Sequence, residues 1–302
     1  FNGIPLPVHL QTHASVFVSD VIVKPALHNG ARLTTQLTIN NTTDQSRQLA
    51  ISAQTRDGQF QHTSKSITLA AHSTQSITLS DTWDQPRLWW PHDPHLYQLQ
   101  ISISEKNQLV DCYSQRLGFR EMRVAGHQLL LNDVPFMHRR NSIIPYLSTM
   151  QPDTFASMVR TLRQCGYVGS RLHGGPSMRL LSMADELGWL ISPESAINEP
   201  RGHQVADDYW PHARDHAINM VRLLRNHPSV IYWGLCNEFG SNYMPSDSSK
   251  GPWVDQWLND LGKEVMQLDP TRTVTFDGEN DLGGRGHAGP APTLNFHYAW
   301  QP

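Results

Sequence analysis

The chain contains little cysteine: its 302 residues include only Cys112, Cys165 and Cys236. These three are scattered and odd in number, so they form neither a disulfide framework nor a spacing typical of a zinc site. We expect them to be free thiols buried among apolar side chains. Sixteen histidines are present, but no His-Glu-x-x-His pair occurs among them. We therefore expect no metal ion and no cofactor.

Long apolar runs and blocks of one charge are also lacking. No apolar stretch approaches the ~20 residues needed to cross a bilayer. Lys and Arg are not clustered, and the net charge is -3 with His neutral. These features argue against nucleic acid and against a membrane surface as partners. The chain begins at Phe1 rather than Met, so an earlier signal peptide is compatible with it and the compartment stays open.

The first part of the chain predicts an antiparallel β-sandwich. Apolar and polar residues alternate in short runs, which places the apolar side chains on one face of each strand. Turn residues such as those at 28–30 and 57–58 separate the runs. Short alternating strands at this spacing are typical of a sandwich. The runs are Leu33–Ile39, Leu49–Ala53, Ile67–Leu69, Ile77–Leu79 and Tyr97–Ile103.

After about Arg120 the pattern changes to helices separated by short apolar runs. Strand and helix in alternation predict a parallel α/β architecture. Three helical faces are expected, formed by Phe155, Val159 and Leu162, by Trp210, Ala213, Ala217, Val221 and Leu224, and by Trp253, Trp257, Leu261, Val265 and Leu268. About six strands are expected, at Val134–Met137, Tyr167–Val168, Trp189–Ile191, Val230–Trp233, Thr273–Phe276 and Leu294–Phe296.

Polar side chains capable of chemistry follow most of these predicted strands. In a (β/α)8 barrel the C-terminal ends of the strands form the active site. Recurrence over five consecutive strands therefore favours a catalytic face. The residues are Arg171, His173, Glu194, Asn237, Glu238, Asp277, His297, Tyr298 and Trp300.

Two longer segments resemble glycoside hydrolase family 2, the group that contains β-galactosidases, β-glucuronidases and β-mannosidases. The segment Arg225–Glu238 reads RNHPSVIYWGLCNE and is similar to the family's signature through its fourth barrel strand. The segment Pro86–Tyr97 reads PRLWWPHDPHLY and resembles the end of the family's immunoglobulin-like domain. Shorter matches follow in the family's order, at Gly118–Arg120, Leu131–Pro135 and Ala184–Ile191.

The resemblance covers nearly the whole chain and implies a domain order. Residues 1–13 would be the last strand of a jelly-roll sugar-binding domain. Residues 14–119 would form an immunoglobulin-like β-sandwich, and residues 120–302 the first six strands of a TIM barrel. The family's nucleophilic glutamate lies on the seventh strand. We therefore expect a fragment of a longer protein that is inactive alone.

The resemblance also implies roles for individual residues. Glu238 would be the general acid/base of a retaining glycosidase, and Asn237 would bind the sugar 2-hydroxyl. Arg171, His173 and Glu194 would face the substrate from the second and third strands. The sixth strand would add Asn295, His297, Tyr298 and Trp300 as substrate-binding residues.

Structural alternatives stay open for several of these residues. The alternative for Arg171 is a structural cation paired with carboxylates. The alternative for Glu194 is a solvated loop residue, and that for Trp300 is a core side chain. The family's first-strand motif Arg/Lys-Gly-x-Asn is altered here to Arg139–Ser142. Some relatives bind Mg²⁺ past the third strand, but Asn198-Glu199 is out of register with that site, so no metal is predicted.

The leading hypothesis is therefore an exo-β-glycosidase acting on a galactoside, glucuronide or mannoside. The alternative is a catalytically silent, carbohydrate-binding relative with the same fold, and a third possibility is an unrelated barrel enzyme. A glutamate at the end of the seventh strand would distinguish the first two. The sequence leaves the sugar, the linkage and a homo-oligomeric state open.

Overall fold

The computed structural model describes residue 8 and residues 10–126, 128–143, 150–174, 177–198, 206–239 and 251–277. The chain divides into two compact units. The first is Phe1–Glu121 together with Asn226–Pro228, and the second is Met122–Arg225 together with Ser229–Pro302. None of the described helices is long and apolar enough to span a membrane.

The first unit is the predicted antiparallel β-sandwich. One sheet has the order β1 (Val16–Ala26), β2 (Arg32–Asn41), β5 (Ser73–Thr82). The other has the order β4 (Lys65–Leu69), β3 (Arg47–Thr55), β8 (Tyr97–Glu105), β9 (Gln108–Leu117). A short hairpin joins β6 (Trp89–Trp90) to β7 (Asp93–Pro94).

The alternation of apolar residues produces the core of this sandwich. Leu33, Leu37 and Ile39 of β2 are fully buried in one cluster with Leu49 and Ile51 of β3. Their polar neighbours along each strand point away from that cluster, as the two-residue period requires.

Two sandwich strands were missed by the sequence pattern. In β1 the pairing with β2 shifts between Val18 and Asp20, so the two-residue period breaks within the strand. In β9 most residues are polar and only Leu117 is fully buried, because this strand lies at the edge of its sheet.

The second unit contains five described parallel strands. Hydrogen-bond pairing runs from β13 to β14 to β15 and from β16 to β17, and isolated parallel bridges such as Glu194 to Gly234 join β15 to β16. This is part of a TIM barrel. The strands are β13 (Arg140–Ile143), β14 (Gly169–Leu172), β15 (Leu190–Pro193), β16 (Tyr232–Asn237) and β17 (Thr273–Asp277).

Four helices lie between these strands: α1 (Pro152–Gln164), α2 (Met178–Leu187), α3 (Tyr209–Leu224) and α4 (Gly251–Leu268). The three predicted helices are α1, α3 and α4. The ten-residue α2 was missed, because its buried side includes a charged residue, Asp185, which accepts hydrogen bonds from the amide and hydroxyl of Ser229. The side chain of Ser177 caps its start, and Gly188, with φ +67°, ends it.

One predicted strand is wrong. Val134–Met137 was expected to be the first parallel strand, but Val134–Pro135 is β12, the edge of a small antiparallel sheet with β10 (Met122–Ala125) and β11 (Gln128–Leu131). Both residues of β12 are exposed, and the first parallel strand is β13. The predicted sixth strand, Leu294–Phe296, lies outside the described residues, as do residues 1–7 and 9 of the predicted jelly-roll segment.

Two burial predictions also need correction. All three cysteines are free, but only Cys236 is buried. Cys112 is exposed on the edge strand β9, and Cys165 is exposed where α1 ends. The helical period predicts that Trp253 lies on the buried face of its helix, but it is 49% exposed, with its ring edge against Trp210 at 4.6 Å between centroids.

Candidate active site

Polar side chains converge at the C-terminal ends of the parallel strands, and Arg171 lies at their centre. Arg171 is buried on β14, opposite Ser142 of β13 and Ser192 of β15 in the strand register. Because both neighbours carry small side chains, the large guanidinium has room between the flanking strands. Arginine is well suited to this position because its planar group donates in several directions.

The guanidinium of Arg171 contacts three side chains from three different strand ends. Nε donates to Oδ2 of Asp277 at 2.8 Å. Nη2 donates to Oε1 of Glu194 at 2.7 Å and to Oδ1 of Asn237 at 2.5 Å. The burial of Arg171 acts to lower its pKa, but the carboxyl groups of Asp277 and Glu194 raise the pKa on balance.

Glu194 follows β15 directly and is buried, with its two carboxyl oxygens contacting different partners. Oε1 accepts from Arg171, and Oε2 lies 3.0 Å from Nδ1 of His173. Burial raises the pKa of Glu194 to about 8, against the lowering effect of Arg171. The alternative of a solvated loop residue is therefore wrong for this position, since Glu194 is 1% exposed.

Asn237 and Glu238 stand at the end of β16, where the strand is irregular. The pairing of β16 with β17 shifts between Gly234 and Asn237, and Glu238 has a φ of +51°. A non-glycine residue in this left-handed region costs about 1 kcal/mol or more, and such strain concentrates at functional sites. The irregularity redirects the end of the strand, so Glu238 is partly exposed whereas Asn237 is buried.

The orientation of the Asn237 side-chain amide follows from its partners. Arginine is only a donor, so the atom that faces Arg171 must be the oxygen of Asn237. The nitrogen then donates to Oδ1 of Asn198 at 2.8 Å. An amide nitrogen carries two hydrogens, and the described residues supply no second acceptor for this one, so a hydrogen remains to bind a hydroxyl group of a ligand.

Phe239, the residue after Glu238, anchors the end of β16 by packing against α3. Phe239 is 1% exposed and packs on Tyr209 and Trp210 of α3, each at 5.8 Å between ring centroids. Burying an aromatic ring of this size contributes about 2 to 3 kcal/mol. The acidic side chain therefore sits on a segment held by core packing.

A second cationic group, Arg140, lies two residues nearer the start of the strands than Arg171, since it pairs with Gly169 of β14. Arg140 of β13 lies 3.5 Å from Oδ1 of Asp277 and 5.3 Å from the ring centroid of Tyr232. Burial, with a contribution from the Arg140 cation, lowers the pKa of His138 to about 3, so this imidazole is neutral. Burial raises the pKa of Tyr232 to about 12.

The structure thus brings together five predicted site residues: Arg171, His173, Glu194, Asn237 and Glu238. The predicted Asn295, His297, Tyr298 and Trp300 lie outside the described residues.

Asp277, which the sequence places among the polar strand ends without a specific role, joins this group through Arg171. Arg140 and Asn198 are two further participants, and no local sequence signal predicts their contacts.

The described residues contain no group of three or more His, Cys, Asp or Glu side chains arranged to hold a metal ion. Glu199, which follows the third predicted strand, is outside those residues. The carboxyl groups of Glu194 and Asp277 instead contact Arg171.

The chain has a β-sandwich followed by a barrel. Carboxyl, amide and guanidinium groups lie at the C-terminal ends of the barrel strands, which is where barrel enzymes have their active sites. These features define a class of multidomain barrel protein with a catalytic-type face. Residues 16–120 match the sequence profile of Glycosyl hydrolases family 2, and residues 173–296 match that of the Glycosyl hydrolases family 2 TIM barrel domain. The chain belongs to glycosyl hydrolase family 2.

Relatives support this assignment. The chain is 26% identical over 290 residues to a putative beta-glucuronidase from Formosa agariphila, covering 91% of this chain. Its fold is similar to that of a beta-galacturonidase from Eisenbergiella tayi, with a TM-score of 0.74, 19% identity and 88% of this chain covered. It is also similar to a beta-glucuronidase from Bacteroides uniformis, with a TM-score of 0.73, 21% identity and 90% covered.

The chain spans only part of each of these proteins. It covers 34% of the length of the Formosa relative, 47% of the Eisenbergiella chain and 36% of the Bacteroides chain. At such low identity the two solved structures establish the fold of this chain.

Proposed function

We propose that the whole protein is a retaining exo-β-glycosidase in which Glu238 is the general acid/base. One observation carries the proposal: Asn237 and Glu238 end the fourth parallel strand, and Arg171 fixes the amide of Asn237. In a retaining mechanism one carboxyl group protonates the leaving oxygen and later accepts a proton from water. Glu238 is partly exposed at the catalytic-type face, where a substrate oxygen could reach it.

Asn237 would bind the 2-hydroxyl of the sugar through its remaining amide hydrogen. A hydrogen bond to this hydroxyl strengthens in the transition state and lowers the barrier by several kcal/mol. The bond requires a correctly oriented amide, and Arg171 and Asn198 supply that orientation.

The nucleophile in this proposal is a carboxylate from outside the described residues. Retention needs two carboxyl groups about 5 to 5.5 Å apart. Glu194 and Asp277 are poor candidates because their oxygens already contact Arg171, His173 and Arg140. Their proposed role is to hold the guanidinium of Arg171.

The relatives suggest which substrates to test first. Two of the similar proteins are described as β-glucuronidases and one as a β-galacturonidase. A panel of 4-nitrophenyl β-glycosides should therefore begin with the glucuronide and galacturonide and continue with the galactoside and mannoside. The anomer that forms first, followed by proton NMR, reports retention or inversion directly.

Replacement of Glu238 tests the acid role in the whole protein. Glu238→Gln should abolish hydrolysis of alkyl glycosides, whose leaving groups need a proton. Aryl glycosides with good leaving groups should lose much less in the glycosylation step, because general acid catalysis contributes little there. Azide should restore turnover of the aryl substrate, because this anion can replace water without base assistance.

The matched control is Glu186→Gln, which changes an exposed glutamate on α2 and should leave both rates unchanged. Equal losses on the two substrate types in Glu238→Gln would contradict the acid role. Sugar binding without any turnover by the unsubstituted protein would favour the catalytically silent alternative.

A further inference from the structure

We infer that Asp277 is a positioning residue that holds Asn237 and Glu238 in their working orientation from the neighbouring strand β17. The inference rests on the proposed function, and it gives a specific role to Asp277, which the sequence places only among the polar strand ends. Its basis is two contacts of Asp277: one with Arg171, which itself binds Asn237, and one with the backbone of Glu238.

The first contact runs through the side chain. Oδ2 of Asp277 accepts the Nε hydrogen of Arg171 at 2.8 Å, and Nη2 of the same guanidinium donates to Asn237. Nη2 also donates to Oε1 of Glu194 at 2.7 Å. Arg171 is therefore held at two points, and its direction toward Asn237 depends on both carboxyl groups.

The second contact runs through the backbone. The carbonyl oxygen of Asp277 accepts the amide hydrogen of Glu238 at 2.9 Å. Glu238 has a φ of +51°, a conformation that the surrounding structure must stabilise. The bond to Asp277 is one such constraint, and it lies directly beside the acidic side chain.

Local sequence makes room for this arrangement. Asp277 is 1% exposed, and a Cβ atom added at Gly234 would lie 3.4 Å from its Oδ2 and 3.2 Å from the carbonyl oxygen of Pro193. A larger residue at 234 would therefore press on the bond between Asp277 and Arg171. Glycine at this position lets the carboxylate reach across the barrel interior.

A carboxylate is the chemical group that the site requires. Oδ2 of Asp277 accepts from Arg171 at 2.8 Å, Oδ1 lies 3.5 Å from the Arg140 cation, and a carboxylate is an acceptor at both oxygens. An asparagine would present an amide nitrogen to one of the two cations. Asp277→Asn therefore preserves the shape of the side chain while weakening its hold on Arg171.

The substrate 2-hydroxyl distinguishes positioning from general stability. The backbone bond to Glu238 does not involve the Asp277 side chain, so a side-chain variant tests only the path through Arg171 and Asn237. Loss of that path should be felt only when the sugar has a 2-hydroxyl to bind. The test compares the 4-nitrophenyl β-glycoside that the whole protein hydrolyses fastest with the 2-deoxy form of the same glycoside. Asp277→Asn should lower kcat/KM roughly 100-fold on the parent glycoside, the size expected from misplacing a binding group, and about 3-fold or less on the 2-deoxy glycoside.

Two further variants complete the experiment. Asn237→Ala should show the same selectivity, and adding Asp277→Asn to it should cost little more, because two residues that act through one contact are not additive. Asp277→Glu keeps the charge and moves the carboxylate by one methylene. If Asp277→Asn does not fold, this variant should show the same selective loss.

The matched control is Asp269→Asn, which removes a buried aspartate that is bound to Arg272 at the opposite end of β17. It should lower stability while leaving the ratio of the two kcat/KM values unchanged.

Equal losses on both substrates, or no loss on either, would overturn the role of Asp277. So would an unsubstituted protein that treats the two glycosides alike, since the 2-hydroxyl would then be unrecognised. Failure of Glu238→Gln to impair alkyl glycosides would instead reject the proposed function, so the two failures are distinguishable.

Discussion

Arg171 donates a hydrogen bond of 2.5 Å to the side-chain oxygen of Asn237, across 66 residues of sequence. This bond determines which end of the amide faces the substrate side of the barrel. Arginine carries no acceptor, so the two ends of the amide cannot exchange without losing the bond. The rigidity of Arg171 is therefore a condition for the proposed binding of the sugar by Asn237.

We predict that Arg171→Lys retains the fold but loses activity. The ammonium group keeps the positive charge between Glu194 and Asp277, but it is a single point and lacks the planar fork that reaches three oxygens. We expect kcat/KM of the whole protein to fall roughly 100-fold, the cost of a misplaced site group. Steady-state kinetics on the best aryl glycoside measures the effect.

The control for this variant is Arg123→Lys. Arg123 donates through Nε and Nη2 to Asp133, and both side chains are partly exposed. Such pairs contribute about 0 to 1 kcal/mol, so kcat/KM should not change. Full activity in Arg171→Lys would show that the orientation of Asn237 does not depend on the guanidinium.

The protonation of Glu194 predicts a pH dependence of stability. Its pKa in the folded protein is raised by burial from 4.5 to about 8, so the folded state binds the proton more tightly than the unfolded chain. This contribution to stability is fully present below the unfolded value of 4.5 and is lost as the pH rises through about 8. Glu194→Gln cannot ionise and should remove that dependence.

Urea unfolding at several pH values between 4.5 and 8 checks this prediction. The free energy of unfolding of the unsubstituted protein should fall relative to that of Glu194→Gln as the pH rises, by up to about 1.4 kcal/mol for each unit of pKa difference. The exposed Glu186→Gln should follow the unsubstituted protein. Parallel curves for Glu194→Gln and the unsubstituted protein would mean that Glu194 is ionised in the folded state throughout.

The alternating strands of the sandwich could be predicted because one face of each sheet meets water and the other meets the core. Leu33, Leu37 and Ile39 show this directly, since each is fully buried while the residues adjacent to them along the strand are more exposed. β1 escaped prediction because its irregularity at Val18 breaks the period.

The barrel strands were located with an offset for a different reason. β14 reads Gly-Ser-Arg-Leu, which contains little apolar sequence because its inner face carries Arg171. The apolar pair Tyr167–Val168 that drew the prediction lies just before the strand. Polar site residues inside the barrel therefore weaken the apolar pattern from which the strands that carry them could be predicted.

The site residues could likewise be predicted only in part. The sequence indicated that Arg171, Glu194, Asn237 and Glu238 lie at strand ends, and the structure brings them to one edge of the barrel. The contact of Asp277 with Arg171 joins residues 106 positions apart, and no local pattern encodes it.

We predict that Asp269→Asn destabilises the second unit. Asp269 is 1% exposed, and it accepts hydrogen bonds from Arg272, Thr271 and Trp233. Breaking a buried pair of this kind costs about 3 to 5 kcal/mol, because Arg272 keeps its charge without its partner. Urea denaturation of the variant and the unsubstituted protein at pH 7 measures the difference.

The stability that Asp269 and Arg272 contribute should also decrease at low pH. Burial acts to raise the pKa of Asp269, but Arg272 and Thr271 lower it on balance below the ordinary 3.8. Its contribution is therefore present above pH 3.8 and is lost as the pH falls through the folded-state value. The exposed Asp260→Asn, from α4, should leave stability unchanged, and a similar loss in both variants would contradict the prediction.

We predict that alanine at two barrel glycines destabilises the protein to different degrees, with Gly169 the less tolerant. A Cβ atom at Gly169 would lie 2.5 Å from the backbone oxygen of Leu190 and 2.7 Å from Nε2 of His138. The oxygen belongs to the paired strand β15 and cannot move without breaking the sheet. At Gly234 the nearest atom, the carbonyl oxygen of Pro193, is 3.2 Å away, so a small shift suffices.

The expected cost is about 3 kcal/mol or more for Gly169→Ala and about 1 kcal/mol for Gly234→Ala, as for severe and mild overpacking. Urea denaturation gives the order of stability. The two variants should rank in the opposite order for loss of kcat/KM. Gly234 adjoins Asp277 and Glu194, whereas Gly169 lies at the start of β14. Gly234→Ala should therefore lose a larger fraction of kcat/KM at a temperature where both variants are folded, and equal losses would show that the space beside Asp277 is not limiting.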